Sequence, residues 1–237
     1  METKNYLGSK GNSGLYQFII NKMPKHDIYI EPFFGTGVIA SKKKPSPIDN
    51  IGIEVDEKLY SEMTMRYPHF NFFNENSIKT IPCHIDRYKH GAHKILIYFD
   101  PPYLWSTRSD LKHSRYKHEM TDEDHKTFLS MAAAIKEKNI FMMISGYKND
   151  LYMSMLENWN YFEFETMSRG GPRTESLWCN FNPDDFEKHQ YDYVGHNFVD
   201  RQRIKRKSKR LINKFRNMSY DERTSIIKDI NEEFGTS

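Results

Sequence analysis

Residues 95–103 read Ile95-Leu96-Ile97-Tyr98-Phe99-Asp100-Pro101-Pro102-Tyr103. Five apolar residues, rich in β-branched and aromatic side chains, are followed at once by an acid and two prolines. This pattern predicts a buried strand whose carboxyl end opens into a rigid loop. Ligands of open α/β sheets lie outside the carboxyl ends of the strands, so we expect chemistry at this loop. Its carboxylate, prolyl carbonyl and aromatic face suit the binding of a planar base by its exocyclic amine. Taken alone, the tetrapeptide is also compatible with a plain strand-ending turn.

A second apolar strand ends in a glycine-rich turn, Ile28-Tyr29-Ile30-Glu31-Pro32-Phe33-Phe34-Gly35-Thr36-Gly37. Its two glycines allow the backbone to pass close to a ligand. The turn lacks the third glycine of the dinucleotide fingerprint, so by itself it is equally typical of a tight strand-to-helix connection. A further strand follows in Asn50-Ile51-Gly52-Ile53-Glu54-Val55-Asp56. We expect Glu54 to bind ribose hydroxyls and Asp56 to begin the next helix.

Together these motifs resemble those of the Dam-like (alpha-group) adenine-specific DNA methyltransferases, in which a cofactor motif precedes the acidic Pro-Pro-Tyr motif. Residues 5–10 are similar to the Tyr-x-Gly-x-Lys segment of that family. Residues 116–125, 145–147 and 172–178 resemble blocks of its compact, phage-type members. The resemblance covers residues 4 to 182.

The resemblance implies that S-adenosylmethionine is the methyl donor and S-adenosylhomocysteine the product, with no metal. Lys10 would pair with the cofactor carboxylate, and Phe33 would face the sulfonium or form a wall of the pocket. Asn76 stands where the family usually has an aspartate that binds the cofactor adenine. The cofactor-binding residues expected in this way are Tyr6, Lys10, Glu31, Phe33, Gly35, Gly37, Glu54, Asn76 and Asp100.

The predicted catalytic residues are Asp100, Pro101, Pro102 and Tyr103. An adenine amine is a poor nucleophile because its lone pair is delocalised into the ring. If the Asp100 carboxylate and the Pro101 carbonyl accept its hydrogens, the lone pair can be directed at the methyl group. Tyr103 would stack on the base, which must be flipped out of a duplex. The same chemistry on RNA adenine or on a cytosine amine stays open, as does a non-catalytic relic that only holds nucleic acid.

The positive charge is concentrated near the C-terminus. Residues 196–217 contain nine Lys or Arg and one Asp, a net charge of +8, whereas the whole chain carries only +3. Such a block is typical of phosphate-backbone contacts. The alternative is a solvated helix with a short apolar seam of Ile204, Leu211, Ile212 and Phe215. Larger members of the family carry a helical insert for target recognition before the Asp-Pro-Pro-Tyr motif, but here only residues 78–93 are free for one. Contacts to DNA are therefore expected elsewhere, at Arg108, Arg115, Tyr116, Lys117, His118, Arg173, Arg201, Arg203, Lys205 and Arg206.

The order of apolar segments predicts an α/β fold. We expect a Rossmann-like methyltransferase fold with a mostly parallel, doubly wound sheet, a terminal antiparallel strand pair and a basic helical C-terminal extension. Residues 1–182 would form the catalytic domain and residues 183–237 the extension. Strands are expected at about 27–31, 50–54, 70–73, 94–99, 139–145, 162–167 and 174–180, and helices at 14–23, near 37 and 57, from 121, at 150–159 and twice after 182. Thr121 with Asp124 resembles a capping box at the start of one helix, and Ser219 with Glu222 should cap the last.

Composition limits the setting. Two distant cysteines and the lack of a signal peptide or an apolar run of ~20 residues favour the cytosol of a bacterium, an archaeon or a phage-infected host. Double-stranded DNA is the expected partner, and no membrane contact is expected. The sequence leaves open whether the chain is a monomer or a homodimer, which site it recognises and whether a partner nuclease exists.

Overall fold

The computed structural model describes residues 14–104, 118–168 and 171–235. Within them, strands and helices alternate along most of the chain. Their bounds are α1 Leu15–Asn21, β1 Ile28–Glu31, α2 Val38–Lys42, β2 Asp49–Ile53, α3 Glu57–Arg66, β3 Asn71–Phe73, α4 Ser77–Asp86, β4 Ile95–Phe99, α5 Asp122–Ala134, β5 Ile140–Gly146, α6 Asp150–Met155, β6 Asn160–Ser168, β7 Gly171–Cys179, α7 Phe198–Arg216 and α8 Tyr220–Phe234.

Seven strands form one sheet in the order β3-β2-β1-β4-β5-β7-β6. The pairs among β1 to β5 are parallel, and β7 runs antiparallel to both β5 and β6. The predicted fold class, a Rossmann-like mostly parallel sheet with a terminal antiparallel pair, is confirmed. The direction in which the chain adds strands reverses between β1 and β4, which is the position where doubly wound sheets bind ligands.

Strand β4, at the centre of the sheet, is apolar throughout because helices cover both faces of the sheet. Alternate side chains of β4 enter opposite cores: Ile95, Ile97 and Phe99 pack with residues of α4 and α5, whereas Leu96 and Tyr98 pack with residues of α1. All five are at most 1% exposed. This burial fixes the end of β4, and therefore the position of the loop that follows it.

Most elements lie where the sequence predicts them, with three differences. Helix α4 was not predicted, and it accommodates Pro82 in its interior. Helix α6 ends at Met155, short of the predicted end at residue 159. The terminal pair is longer than predicted because β6 and β7 pair continuously from Asn160 with Cys179 to Ser168 with Gly171. The capping box predicted for α5 is present, since Thr121 Oγ1 accepts a hydrogen bond from Asp124 N at 3.1 Å.

The chain divides into two compact units, Met1–Tyr193 and Val194–Ser237. The sequence prediction placed the boundary at residue 182, but the next residues contact the first unit. Glu187 forms an ion pair with Lys25 at 3.0 Å, and His189 N donates to the Met23 carbonyl at 3.0 Å. We therefore propose that the extension begins after Tyr193.

The second unit consists of the two predicted helices. Helix α7 begins at the cap Asn197, whose side chain accepts from Asp200 N, and α8 begins at the predicted cap Ser219, whose side chain accepts from Glu222 N. Neither helix contains a fully buried residue. The predicted apolar seam lines a groove together with Arg223 of α8. None of the helices in the described ranges has the length and apolar character needed to cross a bilayer.

Candidate active site

A cavity of about 270 Å³ lies at the carboxyl ends of β1, β2 and β4. Its walls come from the glycine-rich turn, the segment after β2, the start of α4 and the loop after β4. Eleven of the predicted site residues line it: Glu31, Phe33, Gly35, Gly37, Glu54, Asn76, Asp100, Pro101, Pro102, Tyr103 and His118. Segments that are far apart in the sequence therefore meet in one place.

The glycine-rich turn is shaped by two left-handed residues, Gly35 with φ +53° and Gly37 with φ +65°. The turn is joined to the end of β2 by a hydrogen bond in which Phe34 N donates to the Ile53 carbonyl at 3.1 Å. A Cβ atom on Gly37 would lie 2.4 Å from the buried Phe34 ring. Glycine is thus required at position 37 both for the backbone angle and for the space beneath the turn.

Glu54 joins the turn to the segment after β2. Its Oε2 accepts from Gly35 N and its Oε1 from Asp56 N, each at 2.8 Å. Burial raises the pKa of Glu54, although the two backbone donors act in the opposite direction. A carboxylate has about four acceptor positions, so these two bonds leave acceptor capacity for ligand hydroxyls.

Two helices begin at the cavity. Asp56 caps α3 by accepting from Lys58 N at 2.9 Å and Leu59 N at 3.1 Å, as the sequence predicts. Asn76 caps α4 by accepting from Ile78 N at 3.1 Å. Capping explains why these two polar side chains are held at the cavity wall, Asp56 buried and Asn76 exposed.

Asp100 is oriented by a hydrogen-bonded chain from inside the sheet. Ser145 Oγ lies 3.0 Å from Asp100 Oδ1, and Tyr98 Oη lies 2.8 Å from Ser145 Oγ. A serine hydroxyl has one hydrogen, so when Ser145 donates to the carboxylate it accepts from Tyr98. Sequence reasoning did not assign roles to these two residues. The available signal was Ser145 at the end of the neighbouring strand, where parallel pairing brings it beside Asp100.

Glu31 lies at the base of the cavity and is 3% exposed. Tyr29 Oη donates to its Oε2 at 2.8 Å. Burial raises the pKa of Glu31 to about 8, and the negative charge of Asp100 acts in the same direction. Lys43 is buried nearby with its Nζ 4.3 Å from the Tyr29 ring centroid, and burial lowers its pKa to about 7. Burial therefore favours the protonated form of Glu31 in this wall.

Tyr103 stacks on Tyr147, with ring centroids 4.3 Å apart and an interplanar angle of 24°. The Tyr103 hydroxyl lies 3.3 Å from Glu175 Oε1, and Arg173 Nη1 donates to the Tyr147 hydroxyl at 3.0 Å. Arg173, predicted from sequence as a DNA contact, thus lies beside the loop of residues 100–103. Phe33 packs edge-on against Phe128 of α5 at 5.9 Å.

The remaining predicted contacts fall in three groups. His118 lines the cavity, and its Nε2 lies 3.7 Å from Asp56 Oδ2. Arg203 is engaged by Asp200 at 2.7 Å on α7, the helix that also carries Arg201, Lys205 and Arg206. Outside the described residues lie Tyr6, Lys10, Arg108, Arg115, Tyr116 and Lys117. In the described ranges, no three His, Cys, Asp or Glu side chains form a potential metal site.

No protein-family model matches the chain, and no curated protein sequence is similar to it. Similar solved structures include an rRNA methylase from Streptococcus thermophilus, with 10% identity, 80% of this chain and 100% of that chain covered, and a TM-score of 0.47. Magnesium protoporphyrin IX methyltransferase from Synechocystis, solved with bound S-adenosylmethionine, has 10% identity, coverages of 70% and 75%, and a TM-score of 0.44. A protein assigned as a DNA modification methyltransferase, encoded in an Escherichia coli prophage, has 11% identity, coverages of 64% and 45%, and a TM-score of 0.42. Because the sequence identities are 10–11% and the TM-scores are below 0.5, we argue the function of this chain from the residues of its cavity.

Proposed function

We propose that this chain is an S-adenosylmethionine-dependent DNA methyltransferase that modifies the N6 amine of an adenine extruded from the duplex. The observation that carries the proposal is the meeting of Asp100–Tyr103 with the glycine-rich turn and Glu54 in one cavity. A base-binding loop and a nucleoside-binding turn must share a cavity if a group is to pass between their ligands.

The chemistry of the lining fits S-adenosylmethionine better than a dinucleotide. Besides Glu31, whose burial favours the neutral form, four acids line the cavity, and the described lining contains neither Lys nor Arg; the four are Glu54, Asp56, Asp100 and Glu119. Such a surface attracts a cationic sulfonium and disfavours a pyrophosphate. Glu54 would bind the ribose hydroxyls, Asn76 the adenine edge, and Phe33 would form the wall beside the sulfur.

When bound, S-adenosylmethionine supplies a methyl group activated by positively charged sulfur. The chain's own contribution is to hold the amine. The Asp100 carboxylate and the Pro101 carbonyl accept its two hydrogens, so that the nitrogen lone pair is available for in-line attack. Ser145 and Tyr98 hold the Asp100 carboxylate in place. The amine proton leaves the nitrogen after transfer, and Asp100 is the acceptor in contact with it.

The basic helix α7 supports a nucleic-acid partner. Lys205 and Arg206 are exposed on it, together with most of its other basic residues. Such residues supply affinity without sequence choice. We propose double-stranded DNA as the partner because of the resemblance of residues 4–182. Methylation of RNA adenine or of a cytosine amine are outcomes that the test distinguishes.

The test is transfer of a tritiated methyl group to duplex DNA, followed by analysis of the nucleosides. We expect the label in N6-methyladenine. Asp100→Ala should lower the rate at least about 10²–10³-fold while cofactor binding persists. Asp150→Ala, which removes an exposed acid at the start of α6, is the matched control. Label found only in cytosine or RNA would refute the adenine-DNA assignment, and an absence of cofactor binding would favour a non-catalytic nucleic-acid binder.

A further inference from the structure

We infer that Tyr103 and Tyr147 form the two walls of a slot into which the target base inserts, with Tyr147 as a second base-binding residue. The inference rests on the proposed function and extends it to a residue outside the cofactor cavity. Its starting observation is that the ring next to the acid–Pro-Pro motif already lies in a stacked arrangement, 4.3 Å from a second ring.

The position of the second ring follows from the sheet. Tyr147 comes directly after β5, the strand that pairs in parallel with β4, so the two loops emerge side by side. Ser145, two residues earlier, contacts the Asp100 carboxylate. A base placed against Tyr147 is therefore close to the carboxylate that would bind its amine.

The outer ends of both rings are anchored on one strand. Arg173 and Glu175 lie two residues apart on β7, so their side chains project from the same face. Arg173 Nη1 donates to Tyr147 Oη, and Tyr103 Oη lies 3.3 Å and 3.4 Å from the two Glu175 oxygens. These hydrogen bonds hold the outer ends of the two rings, so that the rings face each other while their planes can still move apart.

Both rings are only partly buried, so separating them does not require opening the core. Insertion of a base exchanges one ring–ring contact for two base–ring contacts, and every base has a face that can stack. The ring centroids must move apart from 4.3 Å to about twice a stacking distance, roughly 7 Å. The long Glu175 contacts to Tyr103 are the ones best able to lengthen.

The experiment uses a short single-stranded DNA with a central 2-aminopurine between thymines, because an unpaired base needs no extrusion and no known recognition site. The full chain is first saturated with S-adenosylhomocysteine so that the probe cannot enter the cofactor cavity. Stacking between two rings should quench the 2-aminopurine fluorescence in the wild type.

Tyr147→Leu should weaken the quenching titration about 5- to 150-fold, the range that base–aromatic stacking contributes per base. Tyr147→Phe keeps the ring and loses only the hydroxyl that binds Arg173, so it should weaken the titration much less than Tyr147→Leu. Unchanged affinity for S-adenosylhomocysteine in both variants serves as the folding control. Equal quenching in wild type and Tyr147→Leu, or no quenching in the wild type, would overturn the slot. Quenching that depends on Tyr147 in a protein that methylates no DNA would support the slot and refute the proposed function.

Discussion

The substitution Ser145→Ala tests whether the hydrogen bond from Ser145 orients Asp100, apart from any effect on the stability of the sheet. Ser145 Oγ lies 3.0 Å from Asp100 Oδ1, and the serine is 2% exposed. A hydrogen bond to a charged acceptor contributes about 1.5–3 kcal/mol, which corresponds to roughly 10- to 150-fold in rate if the bond is needed in the transition state. We therefore expect kcat/KM to fall within that range, with unchanged affinity for S-adenosylhomocysteine.

Ser176→Ala is the matched control for this substitution. Ser176 is also 2% exposed, lies on the adjacent strand β7 and contacts a tyrosine hydroxyl, that of Tyr161, at 3.0 Å. It pairs with Gly146, so both serines occupy the same part of the sheet. Each alanine should lower the melting temperature by a few degrees, since about 1 kcal/mol shifts a chain of this size by about 2–4 °C. Methyl transfer measured under single-turnover conditions should fall only for Ser145→Ala. Equal transfer rates in the two variants would refute the positioning of Asp100 by Ser145.

Three further outcomes are expected. The stability of Glu31→Gln relative to the wild type should increase as the pH rises from 4.5 to about 8. The folded wild type resists ionisation of Glu31, whose pKa is raised, and therefore becomes less stable over this range, whereas Gln does not titrate. A difference in melting temperature that stays constant across this pH range would contradict the prediction. Gly37→Ala should lower the free energy of unfolding by at least about 1–2 kcal/mol and weaken cofactor binding. Gly91→Ala is the control, because its added methyl group would meet no atom closer than 3.4 Å, and it should change neither the melting temperature nor the cofactor affinity. Changing Lys205, Lys207 and Lys209 of α7 to Gln should reduce the slope of log affinity against log salt by up to about 3 for any DNA sequence. The same change at three exposed lysines in or after α5, Lys126, Lys136 and Lys138, is the control and should leave the slope unchanged.

The sequence was sufficient for the parts of the site that depend on strand ends. Asp100 and Glu54 each follow an apolar run, and a parallel sheet brings the carboxyl ends of such runs to one edge. Asp56 and Thr121 were predicted as helix caps because capping is a local interaction. These predictions need no knowledge of the three-dimensional neighbours.

The features of the site that the sequence did not predict depend on contacts between distant segments of the chain. The support of Asp100 by Ser145 requires the register between β4 and β5, and the pairing of Tyr103 with Tyr147 requires the paths of two loops. Helix α4 was missed because Pro82 is a poor helix residue, and burial of Ile81 and Ile85 outweighs that preference.

The strand order explains why acidic residues can be concentrated here. At the reversal between β1 and β4, the ends of these two strands bring Glu31 and Asp100 to the lining of one cavity, which the N-terminal caps of α3 and α4 also line. Burial raises the pKa of Glu31, and the negative charge of the half-buried Asp100 raises it further because like charges repel. Burial raises the pKa of Glu31 to about 8 and so favours its neutral form, and a hydrogen bond from Tyr29 holds the group in place. In the proposed function Asp100 binds the incoming amine, and the raised pKa of Glu31 gives the two neighbouring acids different roles.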